Sequence, residues 1–441
     1  MTSTSSSAQL GGMGLYHTLP CPDGWTTRRL RFLTRINKAQ PIPLAPEDEV
    51  SFVPMAAVGE NGGLQLDQVK ALDEVGDGYT YFADGDVVTA KITPCFENGK
   101  GAFAEGLNNG IAFGTTELHI IRPGEEIDGR FLFYLSISEL FRKLGEGAMY
   151  GAGGQKRVPE LFIKDFQALL PPLGEQQKIA TFLDRKTAEI DTLIDKKRRL
   201  LDRLAEKRTA LITRAVTKGL NPDTPMKDSG IEWLGEIPAH WETGLPIKYL
   251  VKMSGGMTPS TSNPLYWDGD IPWVSPKDMK RPELIDAQDH VTELALSETG
   301  LSLVETGSVL IVVRGMILAH SFPVAINRVP VVLNQDMKAL KVGPRLSPEY
   351  FALLLRAIAD VMLSLVESSA HGTKALRTDR WKELLIALPP VDEQDTIVEL
   401  VEKMVADLDS LEDATSNTID KLEEYRSALI TNAVTGQIKV S

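Results

Sequence analysis

The stretch KRTALITRAVT, Lys207–Thr217, returns as YRSALITNAVT, Tyr425–Thr435, at an offset of 218 residues. Working outward from it, Leu170–Thr217 aligns with Leu388–Thr435 without a gap, and 21 of the 48 positions are identical. An internal repeat of this length decides the architecture before any single residue does. Each copy opens with a Pro-Pro pair followed by Glu-Gln: Pro171, Pro172, Glu175 and Gln176, then Pro389, Pro390, Glu393 and Gln394. Proline ends whatever precedes it and is tolerated at a helical first turn. Beyond the prolines, Ile179, Leu183, Ile190, Ile194, Leu201, Leu204, Leu211 and Ala215 fall on one stripe. In the second copy Ile397, Val401, Met404, Leu408, Leu411, Leu422, Leu429 and Ala433 do the same. Sustained four-three spacing with charges elsewhere predicts a coiled-coil seam. A helix of about 42 residues would run roughly 60–65 Å. The first copy carries the basic run Lys196, Lys197, Arg198, Arg199 and Arg203; the second carries Asp407, Asp409, Glu412, Asp413, Glu423 and Glu424. Matched stripes with opposite charge should pair with each other. Tandem copies separated by a globular domain can return on each other, so an antiparallel coiled coil with a pseudo-two-fold repeat is expected.

The segments between the helices repeat more faintly. Ile237-Pro238 with Trp241 echoes Leu19-Pro20 with Trp25, Val50–Val53 echoes Ile271–Val274, and Gly85–Val88 echoes Gly307–Leu310. Gly154-Gln155-Lys156 matches Gly372-Thr373-Lys374 at the same offset as the helices. The expected division is a first globular domain over residues 1–173 with a disordered tail over 1–14, a long helix over 174–220, a second globular domain over 221–391 and a second long helix over 392–441. Short β-branched runs (Asp86–Ile92, Leu118–Ile121, Ser308–Val313, Val329–Leu333) predict strands, and Phe131–Leu144 and Pro348–Val366 predict amphipathic helices. The fold class is therefore α+β: two similar globular domains separated by two long helices.

Composition narrows the function. The 441 residues include 43% hydrophobic residues, enough for two ordinary cores. Two cysteines, Cys21 and Cys95, give neither a disulfide framework nor a zinc motif. The polar start lacks the apolar region of a signal peptide, and no apolar run reaches the 18 or so residues of a membrane span, so a cytoplasmic protein is expected. The net charge of −13 is unevenly spread: residues 171–220 carry +5, whereas 1–170, 221–387 and 388–441 carry −6, −4 and −8. Tight binding to nucleic acid by this chain alone is not expected; help from partners is. No phosphate loop, HExxH, GxSxG or amino-methylating tetrapeptide is present. Gly151–Gly154 precedes Gln-Lys-Arg and not a helix, and the six histidines form no ligand-like pair. No catalytic residue, cofactor or metal ligand is therefore assigned to this chain.

The doubled pattern resembles the helical regions of the specificity subunits of Type I restriction–modification enzymes. The resemblance is carried by the Pro-Pro-x-x-Glu-Gln starts, Thr187–Ile194, Glu206–Ile212, Ala215–Leu220, and the linker Met226–Gly235 leading into Ile237-Pro238-x-x-Trp241. The second helix departs from it at Thr415–Thr418 and where Gly436-Gln437 replaces Lys218-Gly219. The resemblance implies two target recognition domains, each reading one half of a bipartite site in double-stranded DNA. It implies helices that dock two methyltransferase subunits, an assembly that can take two restriction subunits, and S-adenosylmethionine, ATP and Mg on those partners. The rival reading is a coiled-coil scaffold for protein interactions without DNA specificity.

Basic and amide side chains beside glycine-rich loops, at positions that recur between the copies, are the candidate DNA contacts. In the first domain they are Lys91, Asn98, Lys100, Tyr150, Gln155, Lys156 and Arg157. In the second they are Ser260, Thr261, Tyr266, Lys277, Lys280, Arg281, Arg314, His371, Thr373, Lys374 and Arg377.

Overall fold

The computed structural model describes residues 20–38, 40–75, 78–152, 154–368 and 372–440; the tail over 1–14 lies outside them. Two compact units emerge, Met1–Arg198 with Ser416–Ser441, and Arg199–Thr415. Each takes one globular domain and a part of both long helices.

In the first unit the run Val87–Ala90 is buried at every position, a central strand reading as continuous apolar sequence. It pairs antiparallel with Leu118–Pro123 on one side and Gly101–Phe103 on the other, and Thr34–Ile36 completes that sheet. A second sheet has the order Val69–Ala71, Glu49–Val53, Ile111–Gly114, Thr80–Ala83, with its middle pair parallel. Thr26–Arg29 pairs with Gln167–Leu170 and closes the domain just before the helix begins. The second unit repeats the plan with changes. Glu242–Pro246 pairs with Leu385–Leu388, a five-stranded sheet is built on Val309–Val312, and Trp267–Val274 runs parallel to Val332–Leu333 in a three-stranded sheet.

Both predicted amphipathic helices are broken. Gly129–Ile137 and Glu139–Ala148 are separated by Ser138, whose extended backbone and side chain, accepting from the Phe141 N–H, cap the second piece. Such local side-chain hydrogen bonding is why serine favours caps over helix interiors. Pro348–Ala357 and Ala359–Ser364 are separated at Ile358, which leaves helical geometry without a side-chain cap.

The long helices run over Leu173–Lys218 and Val391–Val434. In the first unit Ile179, Leu183, Ile190 and Ile194 share a core with Leu429, Ile430, Ala433 and Val434. Asp191 pairs with Arg426 and Arg198 with Glu423 at 3.2 Å, so the two segments are antiparallel there. In the second unit Ala215 and Val216 share a core with Ile397, Val398 and Val401, and Arg208 meets Asp409 at 2.6 Å. Half-exposed ion pairs contribute only about 0.2–1 kcal/mol each, whereas burying an isoleucine or leucine side chain contributes about 1.5–3 kcal/mol. The apolar seam therefore dominates, and the charges select partner and direction. One expected seam residue is corrected: Leu411 is 46% exposed, and Thr415, 3% exposed, takes the place. The seam steps by sevens from Leu408 through Thr415 to Leu422, and a three-residue step to Leu411 turns away from it.

The repeated glutamine has a definite role. Gln176 Nε2 donates to the carbonyls of Pro171 (2.9 Å) and Glu126 (3.0 Å), and its Oε1 accepts from the Asp128 N–H at 2.8 Å. Gln394 Nε2 donates to the carbonyls of Pro389 (2.9 Å) and Arg345 (3.0 Å), and its Oε1 accepts from the Ser347 N–H at 2.8 Å. Both side chains are fully buried. Each ties the first turn of a long helix to the residues that start a domain helix.

Candidate nucleic-acid interface

Two separate stretches of candidates in the first unit meet in space. Tyr150 and Arg157 exchange both backbone hydrogen bonds, closing a loop whose tip holds Gln155 and Lys156. Gly154 at the tip has φ +76°, and Gly372 at the matching position has φ +80°, a conformation that favours glycine. The far side of that loop pairs with the segment after Ala90. The Thr93 N–H donates to the Lys156 carbonyl (3.0 Å), the Val158 N–H to the Lys91 carbonyl (2.8 Å), and Ile92 lies opposite Arg157. Asn98 and Lys100 sit on the turn that follows: Asn98 Nδ2 donates to Glu60 Oε1 at 3.0 Å and Lys100 Nζ to the Met55 carbonyl at 3.2 Å. Tyr150 is 64% exposed, and the Gln155 and Lys156 side chains make no hydrogen bond or ion pair among the described residues.

The second unit builds the same device. Val366–Ser368 pairs antiparallel with Lys374–Leu376. The Gly315 N–H donates to the Lys374 carbonyl (2.9 Å), the Leu376 N–H to the Val313 carbonyl (2.8 Å), and Arg314 lies opposite Ala375. Lys374 Nζ donates to Ser368 Oγ at 2.8 Å, and Thr373 precedes it at the tip. His371 lies outside the described residues. The turn Asn334–Asp336 gathers further candidates: the Asn334 N–H donates to the Val274 carbonyl, Gln335 Oε1 accepts from Thr258 Oγ1 (2.5 Å), and Asp336 Oδ1 accepts from Arg314 Nε (2.5 Å). Ser260, Thr261 and Tyr266 belong to the loop after Thr258; Ser260 Oγ meets Ser262 Oγ at 2.8 Å and Tyr266 OH donates to Glu298. Lys277 follows the strand Trp267–Val274 and pairs with Asp289 at 2.5 Å, whereas Lys280 and Arg281, both exposed, have no ion-pair partner among the described residues.

Carboxylates hold several of these cations. Arg157 is bonded through Nε and Nη2 to both oxygens of Glu117, 2.8–3.2 Å, which holds the Glu117 carboxyl below the usual range and raises the guanidinium. Arg377 is bonded to Asp379 through Nε and Nη2 and to Glu367 through Nη1, and the Asp379 carboxyl is held down to about 2. His119, two residues on from Glu117 and within the strand Leu118–Pro123, is a core histidine. Its Nε2 donates to the Val158 carbonyl at 2.8 Å, its Nδ1 accepts from Asn37 Nδ2 at 3.1 Å, and burial pushes its pKa down. Sequence reasoning missed Glu117 and Asp336, because acids are not sought at a DNA interface. Glu117 stands directly before the apolar strand run Leu118–Ile121, but Asp336 precedes Met-Lys-Ala-Leu-Lys-Val, so no common sequence signal marks the two. Among the described residues no acid, histidine or cysteine cluster could hold a metal, and no helix is long and apolar enough to cross a membrane.

A family model described as the Type I restriction modification DNA specificity domain matches residues 22–201 and again 238–421. The specificity subunit of the Type I restriction enzyme EcoAI from Escherichia coli is 44% identical over 160 residues, 36% of this chain. That match spans 27% of the relative's own length, about a quarter. The HsdS subunit of Thermoanaerobacter tengcongensis is similar in fold, with a TM-score of 0.59 at 16% identity over 96% of this chain and 99% of that one. A chain from a structure of complex assembly and conformational transition in the type I R-M system gives a TM-score of 0.69 at 17% identity, covering 95% of this chain and all of that one.

Proposed function

The chain belongs to the family of the Type I restriction modification DNA specificity domain, and from that premise we propose that it is the sequence-reading subunit of a Type I restriction–modification assembly, without chemistry of its own. Residues 1–173 and 221–391 are the two target recognition domains, and 174–220 and 392–441 are the helical regions. Each domain reads one half of a bipartite site in double-stranded DNA. Because the domains are diverged copies, the two halves differ in sequence. Two methyltransferase subunits dock on the helical regions, two restriction subunits join where the host makes them, and S-adenosylmethionine, ATP and Mg belong to those partners. The protein acts in the cytoplasm. The observation that carries this reading is the loop closed by Tyr150 and Arg157, with its counterpart in the pair Val366–Ser368 and Lys374–Leu376, each held to the neighbouring segment by the same backbone register in both copies. Base-edge contacts from these loops would supply sequence choice, while Lys280, Arg281 and Lys156 would neutralise phosphates. The acidic surface elsewhere suits an assembly in which partners supply much of the affinity.

The test is to co-express the chain with its methyltransferase partner and map modified bases across a genome. A split motif, two short halves around a fixed unread gap, is expected. Sequence-independent modification by a bound, competent methyltransferase would overturn the reading in favour of a scaffold.

A further inference from the structure

The arginine at the heart of each loop changes strand between the copies, and the carboxylate that holds it does not. Glu117 directly precedes the strand Leu118–Pro123, and its carbonyl accepts from the Lys91 N–H at 2.9 Å. Asp336 directly precedes the strand Met337–Val342, and its carbonyl accepts from the Val313 N–H at 2.8 Å. These are equivalent places. In the first unit the arginine stands on the loop, Arg157 opposite Ile92; in the second it stands across the pair, Arg314 opposite Ala375. The carboxylate reaches it either way, and from the same side. Glu117 takes Nε and Nη2 of Arg157, and Asp336 takes Nε of Arg314. Neither arginine has a partner on Nη1 among the described residues, so the end-on edge stays open, on side chains 38% and 51% exposed.

Two other arginines show what this arrangement is not. Arg122 is held side-on by Asp86 at 2.6 Å, but the pair is buried, with side chains 15% and 1% exposed, and serves the core. Arg377 is exposed but closed on both edges, by Asp379 and Glu367. Among the described residues, only Arg157 and Arg314 combine a hydrogen bond from Nε to an acid with an exposed, open end.

We propose that Glu117 and Asp336 are positioning residues for base reading, each holding its arginine so that the Nη1–Nη2 edge meets O6 and N7 of a guanine, one in each half-site. The inference rests on the DNA-reading function above. Guanine is the base that offers two acceptors side by side in the major groove, and the guanidinium fork matches them. Fixing a long side chain beforehand removes ordering cost at binding. The carboxylate also repels phosphate, so the arginine is kept from the sequence-independent backbone contact it would otherwise make. The acid therefore lowers non-specific affinity and raises discrimination. Those opposite signs separate this role from a structural one.

The test uses the full chain assembled with its methyltransferase partner. Glu117→Gln and Asp336→Asn are compared with wild type on target duplexes in which each base pair is replaced in turn, and on a random-sequence duplex across salt. Glu117→Gln should lose about tenfold in discrimination at one G·C pair of one half-site, and Asp336→Asn about tenfold at one G·C pair of the other. Random-sequence affinity should hold or rise. Unchanged discrimination, or equal weakening on every sequence, overturns the inference while leaving the function intact. A wild-type assembly that discriminates at no base pair overturns the function itself. Should Glu117→Gln not assemble, Arg157→Lys keeps the charge without the fork, and the loss should fall at a single G·C pair of one half-site; loss in both halves overturns the inference.

Discussion

The two helix joints and the two reading loops are both duplicated, and they have aged differently. At the joints, Gln176 and Gln394 make the same three hydrogen bonds with distances that agree within 0.1 Å. At the loops the backbone bonds to the neighbouring segment are kept, but the closing pair is shifted by one residue, and the arginine has moved from one side of the pair to the other among different neighbours. A buried amide with three partners has no spare freedom, because any substitution strands polar groups without water. An exposed loop tip answers to whatever it binds, and its scaffold needs only main-chain register. Conformity therefore marks where the fold is assembled, and divergence on a conserved frame marks where the copies have taken up different targets.

The largest effect expected from this contrast is at the joints. Gln176→Leu strands the Asp128 N–H and two carbonyls, and Gln394→Leu strands the Ser347 N–H and two carbonyls. Each should cost about 2–4 kcal/mol, since leaving a buried polar group unpaired costs about 1–3 kcal/mol and partial relaxation recovers some. Denaturant unfolding of the two variants should give similar losses; a joint that tolerates leucine freely would show that the two are not equivalent. The loops should respond in the opposite way. Arg157→Ala and Arg314→Ala should leave stability nearly unchanged, and each should weaken recognition of a different half-site by about tenfold. Equal loss at both halves from either change would break the assignment of one loop to one half.

These two regions also differ in how much of them the sequence discloses. The helices are legible because a 48-residue repeat with two superposed apolar stripes leaves little choice. Leu411 is misread because a four-three count admits it on paper, whereas packing admits Thr415. The Pro-Pro-x-x-Glu-Gln start is visible as a repeat, but its meaning depends on Glu126, Asp128, Arg345 and Ser347, some 50 residues away in the chain. The loops are legible only in pieces. Lys91–Lys100 and Met149–Arg157 each stand out by glycine and charge, and nothing local says that Thr93 bonds to Lys156. Glu117 is less visible still, because an acid before a strand is ordinary until the fold places it against Arg157.

Acid should affect the two units unequally. The His119 ring is buried and neutral, with its pKa pushed below the ordinary value of about 6.5 by lost hydration. A histidine depressed in the folded state lends stability that is present above its unfolded pKa and is lost progressively as pH falls below about 6.5, because the unfolded chain takes up the proton first. The corresponding strand of the second unit, Met337–Val342, has no histidine. Hydrogen exchange followed from pH 7 to 5, corrected for intrinsic rates, should therefore show Leu118–Pro123 losing protection ahead of Met337–Val342. Equal loss would mean that His119 is accommodated when charged.

The smallest effect concerns the arginine that the comparison excludes. Arg377 sits beside the second loop with both edges of its guanidinium closed by Asp379 and Glu367. The Asp379 carboxyl is held down to about 2, so the pairing is complete above the ordinary aspartate pKa near 4 and lost only as pH falls through about 2. At neutral pH this arginine has no open edge with which to read a base. Arg377→Ala should accordingly leave the recognised sequence unaltered, and in an NMR titration it should return the Asp379 midpoint toward its ordinary value. A changed half-site in Arg377→Ala would mean that DNA opens the cluster, and that a carboxylate on each edge does not exclude an arginine from reading.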